Sequence, residues 1–157
     1  TKQYETLDIK KLTQAIDKKF GKKCIVLFRS HLYGNQSYDD VVDVSQYSDM
    51  QELLLLSDIL ITDYSSSMWD FSLSFKPCFL YTPDLKDYLD ERGFDEDIHS
   101  WGFSVSESNK ELVENILQFN NEEYRQKMKK HHQFLESYEQ GDAAKRVVAK
   151  IAEYCNL

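Results

Sequence analysis

Glycine and proline are scarce in this 157-residue chain, at five and two. That scarcity excludes collagen-like repeats and long Pro/Gly-rich disordered tracts. No apolar run approaches the roughly 20 residues that a membrane-crossing helix needs. No signal peptide is visible at the start. The three cysteines, Cys24, Cys78 and Cys155, lie far apart, and none forms a Cys-x-x-Cys pair. They read as reduced, mostly buried thiols of a cytosolic protein. Positive charge is also short: 19 Lys and Arg face 27 Asp and Glu, for a net charge of −8. A dedicated nucleic-acid binder shows a basic face, so nucleic acid is not an expected partner. The same balance fits poorly with an anionic substrate or membrane. Positive charge is therefore expected either to gather at one site or to come from another part of the protein. Several common chemistries lack their motifs. There is no HExxH, no Cys/His cluster, no EF-hand spacing and no Walker-type glycine loop. No GxSxG is present, which argues against a serine hydrolase. No metal and no cofactor are expected. The chain opens on Thr1 rather than Met, which reads as a domain taken from a longer protein.

What is present is an ordinary globular composition, 41% hydrophobic and 29% charged, long enough for one domain with a real core. Ile9, Leu12 and Ile16 recur at helical spacing over residues 8–19, with Asp8 as cap and Gly21 as stop. Residues 24–28 (CIVLF) form a short apolar run, read as a strand buried on both faces. Residues 30–40 are polar and read as a loop. Residues 41–44 (VVDV) give a second strand, 49–56 a helix capped by Asp49 or Ser48, and 58–62 (DILIT) a third strand. A helix over 65–75 and a fourth strand at 78–81 follow. The acidic stretch 84–97 reads as a short surface helix and loop. Residues 108–119, 121–138 and 141–155 all show helical spacing. His131 and His132 sit in the second of these and read as solvated. This alternation predicts an α/β domain. Its Rossmann-like parallel sheet carries helices on both faces and ends in a run of helices.

In such a sheet, ligands bind outside the carboxyl ends of the strands. Three polar segments fall there: Arg29-Ser30-His31, Asp63-Tyr64-Ser65-Ser66-Ser67 and Tyr81-Thr82-Pro83-Asp84. The second runs from a buried strand straight into a helix start. Unpaired backbone N–H groups and small hydroxyl side chains there make a natural phosphate pocket. Asp63 or Ser65 acting merely as a helix cap explains the same pattern. Arg29 offers paired donors to phosphate oxygens, and His31 can donate a hydrogen bond or carry a proton near neutral pH.

The segment Leu54-Leu55-Leu56-Ser57-Asp58-Ile59-Leu60-Ile61-Thr62-Asp63-Tyr64-Ser65-Ser66 resembles the hallmark of the CDP-glycerol glycerophosphotransferases, the teichoic acid polymerase and primase family. Further pieces match in order: Arg29-Ser30-His31, Val42-Asp43-Val44-Ser45, Asp70-Phe71, Lys76-Pro77, Phe79-Leu80-Tyr81, Asp84 with Tyr88 and Arg92-Gly93-Phe94, and Gly141-Asp142 through Arg146-Val147. The stretch Asp95–Phe103 departs from the family by lacking its Pro-Gly.

The resemblance implies a GT-B architecture of two Rossmann-like halves. Residues 1–157 would be the single nucleotide-donor-binding C-terminal half, and the N-terminal acceptor half would be absent. It implies transfer of glycerol phosphate from CDP-glycerol to a hydroxyl of a membrane-bound polyol-phosphate acceptor, releasing CMP. The enzyme would lie on the cytoplasmic side, peripheral to the plasma membrane. His31 would contact the donor diphosphate, with Arg29 nearby. Asp63, Ser65, Ser66 and Ser67 would shape the phosphate pocket. Asp70 and Asp84 would lie beside it, and Asp142 and Arg146 would close it from the last helix. A CDP-ribitol or UDP-sugar donor, or a non-catalytic structural domain, would share the architecture. Homo-oligomerisation stays open.

Overall fold

A computed structural model describes residues 7–30 and 41–155. The first helix, α1 (Ile9–Phe20), forms as its pattern predicts. The Asp8 carboxylate accepts the Lys11 N–H at 3.0 Å, and Leu12, Ala15 and Ile16 turn inward. Gly21, at φ 69°, takes the left-handed turn that ends it and returns its N–H to the Asp17 carbonyl at 2.9 Å.

Among the described residues, all strand pairs are parallel. Strands β1 (Leu27–Phe28) and β2 (Val42–Asp43) pair with each other. Strands β3 (Leu60–Thr62), β4 (Cys78–Tyr81) and β5 (Ser104–Ser106) form a second ladder in the order β3-β4-β5. Helix α2 (Met50–Leu56) leads into β3; the Asp49 carboxylate caps it by accepting the Gln51 and Glu52 N–H groups. Helix α3 (Ser67–Ser72) joins β3 to β4, and α4 (Leu85–Glu91) with a 3-10 turn at Ile98–Trp101 joins β4 to β5. Helices α5 (Asn109–Gln118), α6 (Asn121–Phe134) and α7 (Ala143–Cys155) end the chain.

The central strand β4 decides where the core sits. All four of its residues are buried, and successive side chains point to opposite faces. Phe79 and Tyr81 pack with Leu12, Ile16, Leu112 and Ile116 from α1 and α5. Cys78 and Leu80 pack on the other face with Leu54, Phe71, Trp101 and Met128. Helices thus cover both faces of the sheet, as the alternating pattern predicts.

The structure corrects several local expectations. The 24–28 run is not a strand buried on both faces. Only Leu27–Phe28 pair, and Ile25 is 79% exposed and Leu27 41%. The helix expected over 65–75 spans only Ser67–Ser72. The Ser72 and Ser74 hydroxyls donate back to the Trp69 and Phe71 carbonyls, and Phe75 then turns left-handed ahead of Pro77. Strand β5 has no counterpart in the sequence reading. Of the cysteines only Cys78 is buried, while Cys155 is exposed. The acidic stretch is on the surface, but Leu85 anchors it in the core.

His131 is not solvated, and His132 is half-buried. His131 is buried with its ring stacked on Trp69, centroids 5.0 Å apart. The His132 Nε2 lies 2.8 Å from the Ser72 hydroxyl. Burial pushes both imidazoles below their ordinary value of 6.5; His132 adds to the shift at His131, and Glu96 opposes it there. Above that value both rings are neutral whether the chain is folded or not. Below it the unfolded chain takes up protons first, so stability falls as pH drops through the lowered values. The urea midpoint is therefore expected to fall between about pH 7 and pH 5.5. His131→Gln/His132→Gln should remove part of that fall; an identical pH profile in the double variant would refute the assignment.

Candidate functional site

A cleft of about 890 Å³ opens between the two ladders. Apolar side chains from α1, α2 and the strands, including Leu12, Ile16, Leu53 and Leu54, form its floor. Its polar rim lies at the carboxyl ends of β1 and β3 and carries Arg29, Ser30, Ser45, Asp63, Ser65, Ser66, Ser67 and Asp70. Two of the three segments picked out in the sequence, the ends of β1 and β3, thus meet at one rim. From the third, Tyr81 lines the cleft and Asp84 does not.

The turn after β3 is held by its own side chains. The Asp63 carboxylate accepts the Ser65 N–H at 3.1 Å, and the Ser65 hydroxyl accepts the Ser67 N–H at 3.3 Å. The Ser65 and Ser67 hydroxyls lie 2.9 Å apart. Capping is therefore part of what Asp63 and Ser65 do. Ser66 occupies the cap position of α3, yet its exposed hydroxyl makes no capping bond. That hydroxyl is the one in the turn that a ligand meets without displacing a protein partner. Asp70 is exposed on α3, and its carboxylate accepts from the Gln51 side-chain amide at 3.3 Å.

Asp84 works behind the rim. It accepts the Tyr64 phenolic hydroxyl at 2.9 Å, which ties the β3 turn to the segment after β4. The Tyr64 ring stacks on Tyr88 at 3.8 Å, with Phe94 at 5.7 Å. Burial, and then the bond to Asp84, push the Tyr64 phenol up, so it stays a protonated donor at neutral pH.

At the end of β1 the Arg29 guanidinium donates to the Tyr47 carbonyl. Lys23 and Arg29 are the cations lining the cleft among the described residues, against the carboxylates of Asp58, Asp63 and Asp70. The charge shortage seen in the composition therefore persists locally. His31 lies outside the described residues. Asp142 and Arg146 do not line the cleft. The Arg146 side chain donates to the Tyr138 carbonyl at 3.4 Å, and no residue of α7 is buried. Among the described residues no group of three His, Cys, Asp or Glu side chains could hold a metal ion, and no helix is long and apolar enough to cross a membrane.

The sequence reading passed over Asp43, Ser45, Gln51 and Tyr64 as site residues. An Asp-x-Ser spacing just past a strand is a local turn signature and could have flagged the first two. Tyr64 offered no such signal, because its partner lies twenty residues away.

Comparison with known proteins gives a consistent picture. A family described as CDP-Glycerol:Poly(glycerophosphate) glycerophosphotransferase matches residues 2–153. A teichoic acid glycerol-phosphate transferase of Staphylococcus aureus is 44% identical over 92 residues, covering 55% of this chain and 23% of the relative. A teichoic acid poly(glycerol phosphate) polymerase of Bacillus subtilis is 32% identical over 127 residues, covering 76% of this chain and 16% of the relative. The wall teichoic acid polymerase TagF, solved as a histidine-to-asparagine variant soaked with CDPG, superposes with a TM-score of 0.69 at 27% identity. The match covers 94% of this chain and 39% of that one. The chain thus spans less than a quarter of these curated relatives and about two fifths of the solved polymerase.

Proposed function

Because the chain belongs to the CDP-glycerol:poly(glycerophosphate) glycerophosphotransferase family, we propose that it supplies the donor-diphosphate side of an active site that transfers glycerol phosphate from CDP-glycerol. On this reading residues 1–157 are the C-terminal half of a GT-B enzyme. The acceptor is a membrane-bound teichoic-acid-type chain bearing a free hydroxyl, met at the cytoplasmic face of the membrane by a part of the protein outside this chain.

One observation carries the reading: the ends of β1 and β3 converge on a single cleft at the carboxyl edge of parallel strands. That edge is where such sheets bind ligands. In the reaction the acceptor oxygen forms a bond to the glycerol-bearing phosphorus. The bond from that phosphorus to the bridging oxygen breaks, CMP leaves with the electron pair, and the acceptor proton passes to a base outside this chain. The residues here hold the diphosphate in line and stabilise the charge that grows on departing CMP. The Ser66 hydroxyl fits that task, as does Arg29 once its guanidinium shares donors between Tyr47 and phosphate. The carboxylates of Asp63 and Asp70 on the same rim mean that further cations must reach the diphosphate from elsewhere in the protein.

The test is CMP release by the full-length enzyme with CDP-glycerol, CDP-ribitol and UDP-glucose, alongside calorimetry of each nucleotide on the isolated chain. The expected outcome is release from CDP-glycerol above the other two, with weak binding and no turnover by the isolated chain. Faster release from CDP-ribitol or UDP-glucose would reassign the donor, and no binding of any nucleotide would return the chain to a structural role.

A further inference from the structure

We propose that Asp43 and Ser45 are positioning residues that hold the Arg29–Ser30 backbone at the rim of the cleft, an inference that rests on the donor-site reading above. Strands β1 and β2 form a short parallel ladder. Its rungs run from the Val42 N–H to the Val26 carbonyl and from the Val44 N–H to the Phe28 carbonyl, each at 2.8 Å. In a parallel ladder of this register the next rung would run from the Ser30 N–H to the Val44 carbonyl. That carbonyl is already taken, because the chain turns there and the Tyr47 N–H donates to it at 2.9 Å.

The Ser45 hydroxyl replaces the missing acceptor and takes the Ser30 N–H at 2.9 Å. Ser45 is itself set by Asp43, whose carboxylate accepts the Ser45 N–H at 2.8 Å. The Ser45 bonds hold the Asp43 carboxyl below its ordinary range, so it is an anion at neutral pH. The same turn holds Arg29 at a second point, since the guanidinium donates to the Tyr47 carbonyl. Residues 43–47 thus form a bracket that fixes both the backbone and the side chain of the segment leaving β1. A side-chain acceptor lets the ladder's last amide stay bonded after the strand has ended. The Arg29–Ser30 backbone is therefore held in place instead of fraying.

Positioning of this kind acts on turnover more than on ground-state affinity, because a shift of about an ångström in a group that meets the reacting phosphate can cost up to about a hundredfold. The experiment compares Ser45→Ala, Ser45→Thr and Asp43→Asn in the full-length enzyme. CMP release gives kcat and the donor KM, and amide hydrogen exchange is followed at Ser30 and across β4. Ser45→Ala is expected to lower kcat about tenfold or more with the donor KM within about threefold. Its Ser30 amide should exchange at least about ten times faster, while the β4 amides stay protected. Ser45→Thr keeps the hydroxyl and should recover kcat to within about threefold. Asp43→Asn keeps an acceptor oxygen and should fall between the two.

Unchanged kcat or unchanged Ser30 exchange in Ser45→Ala overturns the proposal. A raised KM with kcat retained also overturns it, by making Ser45 a donor ligand. Absence of CMP release from CDP-glycerol by the unmodified enzyme is a failure of the donor reading instead. The exchange result then decides the bracket on its own: faster exchange at Ser30 keeps it, and unchanged exchange removes it.

Discussion

In the full-length enzyme His31→Ala is expected to slow CMP release from CDP-glycerol by about a hundredfold or more. The residue follows Ser30, whose backbone sits on the cleft rim and whose N–H is fixed by Ser45. On the donor-site reading proposed above, His31 would meet the donor diphosphate. A donor aimed at a developing phosphate charge contributes mainly as that charge grows, so kcat should drop more than donor affinity. His31→Gln keeps a hydrogen-bond donor without the imidazole's ability to carry a proton. Partial activity in His31→Gln would mean that donation is the main service, and activity as low as in His31→Ala would point to the proton. Near wild-type turnover in His31→Ala would end the assignment.

Phe79→Ala is expected to cost about 3–5 kcal/mol of stability. Phe79 has no solvent exposure and stands on the central strand, edge-on to Phe119 at 5.4 Å and among Leu12, Ile16, Leu112 and Ile116. Truncation removes aromatic surface from water-free contact and leaves a cavity bounded by a helix on one side and the sheet on the other, neither free to collapse. For a domain whose whole stability is about 5–15 kcal/mol, that is a large share. It corresponds to a fall in melting temperature of about 6–20 °C. Chemical denaturation of Phe79→Ala and Phe79→Leu measures it, with the leucine variant losing much less. A loss below about 1 kcal/mol for Phe79→Ala would mean that the two faces of β4 are not tightly packed.

Elements with a strong local signal were readable before the structure. The Asp8 cap, the Gly21 stop and the apolar run at 78–81 each state their role within a few residues, and the second cap was narrowed to Ser48 or Asp49, of which the structure uses Asp49. Strand β5 was not readable, because Ser104-Val105-Ser106 has no apolar run and becomes a strand only by pairing with buried β4. The histidines misled for a related reason. Helix α6 is very polar, yet Tyr124, Met128 and His131 fall at steps of four and three and share its buried side. At the site, sequence order and fold type were enough to bring Arg29 and the Asp63–Ser67 turn to one edge. The roles of Asp84 and Tyr64 depended on a contact across twenty residues, which no local pattern announces. Asp142 and Arg146 entered only through resemblance, and in this chain neither lines the cleft.

The division of the strands into two ladders gives the cleft walls unequal stiffness. The β3–β4–β5 wall is anchored by a fully buried central strand, whereas the β1–β2 wall is two residues deep and largely exposed. Among the described residues no backbone rung ties one wall to the other. The firm wall acts as a fixed jaw and the β1–β2 wall as a compliant one. A ligand that touches both is then the crosspiece that links them, and its binding energy goes disproportionately into steadying the weaker jaw.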